Sequence, residues 1–168
     1  LMMQGRGAPV AYPLVEVARS KKNGQPYALG FGTWGLDVGK IVPGRAANEA
    51  EVAVASYDRV ALFDANTLAL ISEVSLPNWE YTNPRKLTVA DVDGGPEGEI
   101  VFRTLHNHLV VMDHNLSILF EHQEAGIIDL AIGPTPNARV NNALKRPIYL
   151  LSARGHVVRL EIDRGSAQ

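Results

Sequence analysis

Short runs in which apolar and polar residues alternate recur along this chain, separated by glycine, proline, asparagine and aspartate. A period of two is the mark of a strand with one buried face. Residues 12–18 (YPLVEVA) and 25–31 (QPYALGF) read as strands joined at Asn23-Gly24. That dipeptide suits a type I′ turn, which needs positive φ at both centres. Residues 38–42 (VGKIV) form the next strand, stopped by Pro43-Gly44. After a loop over 45–50 come strands 51–56 (EVAVAS), 59–63 (RVALF) and 68–75 (LALISEVS). The order then repeats with 85–90 (RKLTVA), 99–104 (EIVFRT), 108–112 (HLVVM) and 116–121 (LSILFE). A third pass has 127–132 (IIDLAI), a long loop over 133–146, then 147–152 (PIYLLS) and 156–162 (HVVRLEI). Only residues 46–55 carry a competing helical period, and the strand from Glu51 is preferred there.

The spacing is regular. Glu51 and Glu99 are 48 residues apart, Asp64 and Asp113 are 49 apart, and Thr104 and Ser152 are 48 apart. Four short strands in every 40–50 residues is the pattern of propeller blades. The chain therefore reads as all-β, a β-propeller segment of about three four-stranded blades in an incomplete ring. The divisions are a partial blade over 9–36, blades over 37–83 and 84–125, and a partial blade over 126–168. Open terminal strands leave backbone N–H and C=O groups without partners. The expectation is that a protein partner, or the remainder of a larger chain, completes the ring. A sandwich of unrelated hairpins would not require equal spacing, or aspartate at the same corner twice.

Composition narrows the classes. The 168 residues suit one domain, and a net charge of −2 with a pI near 6.2 gives no basic footprint for nucleic acid. No apolar run approaches the ~20 residues that span a bilayer. There is no cysteine, which excludes disulfides, thiolate catalysis and cysteine-ligated zinc. No signal peptide is visible, and a first residue of leucine suggests a processed product or a fragment.

One stretch carries distinctive chemistry. In residues 91–99 (DVDGGPEGE), carboxylates stand at alternate positions of a glycine-bent loop. Such a loop can turn several oxygens toward one hard cation, and Ca²⁺ takes 6–8 of them. The bland alternative is a turn stiffened by Asp91 and Asp93 accepting backbone N–H bonds. The segment VADVDGGPEGEIVF resembles the FG-GAP or VCBS repeat of integrin α-like propellers. The resemblance implies a Ca²⁺ loop in which Asp91, Asp93 and Glu99 stand at ligand positions. Gly95 replaces the third acid of that pattern and Pro96 replaces a glycine; Glu97 is the candidate substitute ligand. It also implies an extracellular or periplasmic setting. RVALFDANTLALISEV resembles the YVTN-type propeller repeat, which agrees on the fold.

Other motifs carry less. Residues 30–35 match G-x-G-x-x-G, but LDVGKIVPG follows, which is no helix, so a dinucleotide site is not expected. His108, His156 and Arg59 share one place in the repeat, a polar hairpin position rather than a metal site. Trp79 and Tyr81 lie between two four-strand units, where aromatics pack between blades or meet a glycan or a protein. No acid–base pair assembles at definable spacing. The expected function is a non-enzymatic scaffold or interaction module with a structural Ca²⁺ site. The alternative is a fragment of a carbohydrate-active propeller enzyme, a lyase or hydrolase.

Overall fold

The computed structural model describes residues 18–30, 32, 35–46, 48–77, 79–134 and 146–162. Among these the chain is all-β, with four antiparallel sheets of two, four, four and three strands. The first is a small hairpin, β1 (Lys21–Lys22) and β2 (Gln25–Pro26). Asn23 and Gly24 take φ of 52° and 77°, as a type I′ turn requires. Pairing ends at Pro26 rather than running on to residue 31, and Gly30 at φ 105° turns the chain away. The strand expected over 12–18 lies almost wholly outside the described residues.

Sheet I is a meander of β3 (Gly35–Gly39), β4 (Glu51–Ala55), β5 (Arg59–Asp64) and β6 (Leu70–Ser75). After one turn of 3-10 helix, Trp79–Tyr81, sheet II repeats the order. Its strands are β7 (Pro84–Ala90), β8 (Glu99–Thr104), β9 (His108–Met112) and β10 (Ile118–Gln123). Sheet III has β11 (Ile127–Ile132), β12 (Ile148–Ser152) and β13 (Val157–Leu160). Within each sheet every strand after the first pairs antiparallel with the one before it.

One strand is displaced from its expected place. β3 covers Gly35–Gly39, not residues 38–42. Ile41 leaves the sheet to become fully buried, and its N–H goes to a side chain rather than to a neighbouring strand. Gly35 and Gly39 in this strand serve close packing. A Cβ on Gly35 would sit 2.9 Å from the backbone nitrogen of Leu87, and one on Gly39 would overlap Val89. β3 and β7 thus lie side by side. Asp37 Oδ2 fastens them, accepting from Val89 N at 2.9 Å and Thr88 Oγ1 at 3.0 Å.

The sheets stack through two apolar layers. Ala53, Ala55, Val60 and Leu62 of sheet I meet Ile100, Phe102, Val110 and Met112 of sheet II. Val101, Leu109 and Val111, on the other face of sheet II, meet Ile127, Leu130, Ile148 and Leu150 of sheet III. Both faces of sheet II are therefore buried, which explains the near-continuous apolar runs EIVF and HLVVM. The outward faces differ. On sheet I, Leu36 and Val38 are 63% and 53% exposed; on sheet III, Leu151 and Val157 are 39% and 70% exposed.

Candidate metal centre

β7 ends at Ala90 and β8 begins at Glu99, opposite each other in the sheet. The loop between them must reverse the chain, and Gly94 supplies the needed left-handed residue at φ 87°. Two Asx turns set it: Asp91 Oδ1 accepts from Gly94 N at 2.7 Å, and Asp93 Oδ1 accepts from Gly95 N at 2.8 Å. Both turns were the bland expectation for this loop, and both are present. They coexist with the sharper one. Asp91, Asp93 and Glu99 each turn one carboxylate oxygen to a common point, with those atoms within 4.8 Å of one another.

Burial makes that convergence costly. Asp93 and Glu99 are each only 5% exposed. Glu99 Oε2 accepts from Val92 N at 2.9 Å, which holds its side chain under the loop. Burial pushes the Glu99 carboxyl up from 4.5 to about 7; the Val92 N–H opposes the shift, and the Asp91 and Glu97 charges add to it. A cation is the usual answer to several carboxylates in one buried place. Three oxygens no more than 4.8 Å apart lie within about 2.8 Å of a common centre, so a small inward turn of the carboxylates brings them to the roughly 2.4 Å of a Ca²⁺–oxygen contact. The trio therefore suits a hard divalent cation. It supplies fewer oxygens than Ca²⁺ takes, leaving the rest to backbone carbonyls or water.

Glu97, the fourth candidate ligand, is not one of the converging trio. It lies on the wall of the adjoining cleft, which Asp93 and Glu99 also line. Asp113 and His114 also line that cleft and were not anticipated as site residues. The signal for Asp113 was present in its repeat relation to Asp64, which pointed only to a turn. That turn exists as well, since Asp113 Oδ1 accepts from Asn115 N at 2.9 Å and Ser117 N at 2.8 Å.

The remaining candidates fall elsewhere. His108 is buried and meets the Tyr81 ring edge-on at 5.5 Å, while Tyr81 OH donates to Glu121. Tyr81 also packs, partly buried, against the apolar layer shared by sheets I and II. Gly35–Gly39 follows the G-x-G-x-x-G run as a strand, without the helix a dinucleotide site needs. Among the described residues no helix is long and apolar enough to cross a membrane.

What the described residues define is an all-β arrangement of consecutive antiparallel sheets with a largely buried acidic trio. No family model matches the chain, and no curated protein matches it at a significant level.

Proposed function

We propose that this chain is a non-enzymatic scaffold of propeller-type blades, working as an interaction module with a structural divalent cation, Ca²⁺ by preference, in the loop after β7. The observation that carries the reading is the stacking of like sheets with apolar side chains still turned outward at both ends. Leu36 and Val38 on β3 pair across to Val54 and Val52; the segment 18–30 lies against Val52, Val54 and Phe63, while Leu36 and Val38 stay exposed beside it. Leu151 pairs with Val157 on the free face of sheet III. Inside the stack the corresponding rows are covered by the next sheet. Exposed apolar rows of this kind mark interaction surfaces. The likeness of residues 89–102 to FG-GAP and VCBS repeats supports both the blade reading and the cation.

Two experiments test it. Leu36→Glu together with Val38→Glu is expected to weaken association of the chain with itself or with a ring-completing partner, read by light scattering after gel filtration. Unchanged association would count against the end faces. For the cation, millimolar Ca²⁺ is expected to raise the melting temperature by about 5 °C at a hundredfold excess over Kd. Asp93→Ala should abolish the rise. No shift in the unaltered chain would remove the cation from the account.

A further inference from the structure

The loops that precede β4 and β8, residues 40–50 and 91–98, differ in length but place acids alike at the start of the following strand. Glu51 opens β4 and Glu99 opens β8. Each accepts an N–H from the second residue after the preceding strand: Ile41 at 2.7 Å in sheet I, Val92 at 2.9 Å in sheet II. Two residues before these stand Glu49 and Glu97, and at the later corner stand Asp64 and Asp113. In sheet I the three acids surround one guanidinium. Arg45 Nη1 donates to Glu51 Oε1 at 2.8 Å, Nη2 to Asp64 Oδ2 at 2.5 Å and Nε to Glu49 Oε2 at 3.3 Å. In sheet II the corresponding acids, Glu97, Glu99 and Asp113, all line one cleft. Six residues before Glu51 is Arg45; six before Glu99 is Asp93. Where one repeat places a positive charge, the other places a further carboxylate.

We infer that Arg45 is a built-in counter-cation, doing in the first loop what a divalent ion does in the second. The inference rests on the cation reading of the second loop given above. A guanidinium is fit for the task because its planar fork offers several N–H donors at fixed geometry. Glu51 is fully buried, and a buried carboxylate without a cation beside it is strongly destabilising. The first blade is then fastened permanently, and the second only when the ion is present. A chelator should loosen residues 91–99 and leave residues 40–51 unaffected.

The test is run on the full chain with Asp93→Ala, so that the second loop no longer responds. Adding Arg45→Gln to that background is expected to create a Ca²⁺-dependent rise in melting temperature of about 5 °C that Asp93→Ala alone lacks. Adding Arg45→Lys instead should create none, since the ammonium still supplies a positive charge. A double variant unfolded without Ca²⁺ and folded with it also supports the inference. No rise with Arg45→Gln, or a chain unfolded with and without millimolar Ca²⁺, overturns it. The unaltered chain's own response to Ca²⁺, measured separately, decides the reading of the second loop.

Discussion

A carboxyl group buried at the start of a strand binds its proton more tightly in the folded chain than in the unfolded one. Glu99 is that group, raised from 4.5 to about 7 by burial beside other acids. The stability it contributes is full below pH 4.5 and is lost as pH rises through about 7. For the ion-free protein this amounts to about 3 kcal/mol across that window. Urea unfolding in EDTA at several pH values should show the decline, and Glu99→Gln should flatten it. A stability that rises over the same window would contradict the placement of Glu99. Asp64 has the opposite sign. The Thr67 N–H, the Arg45 guanidinium and the Thr67 hydroxyl lower it from 3.8 to about 2, so its contribution is present at neutral pH and lost as pH falls toward 2.

At the scale of elements, the approach of β3 to β7 depends on two residues without side chains. Gly35→Ala is expected to cost about 1–3 kcal/mol, because its Cβ would meet Leu87 backbone that cannot swing aside. Chemical denaturation of the variant checks this; a loss within a few tenths of a kcal/mol would mean that the strands are not so close. The same pair shows what sequence could and could not reveal. The period-two runs located β4, β5, β8, β9, β11 and β12 to within a residue or so, because buried faces demand alternation or continuous apolar runs. β3 was displaced because the apolar run to Ile41 and Val42 looks like strand, whereas Ile41 leaves the sheet and its N–H goes to Glu51. Leu68 and Leu116 also escaped notice. They are 48 residues apart, and both take positive φ, 53° and 61°, in the turn before the fourth strand. Nothing in a leucine's own preference announces that conformation. The convergence of Asp91, Asp93 and Glu99 was legible because alternate acids in a glycine-bent loop can turn toward one point. Asp113 and Arg45 were not, since each belongs to the acid arrangement only through contacts made after the chain folds.

At the scale of the molecule, the sheets have no separate cores. Phe102 is fully buried in the layer shared by sheets I and II. Phe102→Ala should cost about 3–5 kcal/mol and loosen both sheets together. Hydrogen exchange in β4 and β5 as well as β8 and β9 checks the coupling, and a change confined to sheet II would deny it. Hydroxyl residues at the same turn of three sheets, Ser56, Thr104 and Ser152, are 48 residues apart in each step and all buried. Three sheets thus bury a hydroxyl at the same turn, and no sheet closes the row among the described residues.

Sedimentation velocity over a hundredfold range of protein concentration tests the scaffold most directly. Open apolar end faces predict a sedimentation coefficient that rises with concentration, or a discrete closed oligomer. One monomeric species throughout, resistant to denaturant, would contradict the open stack.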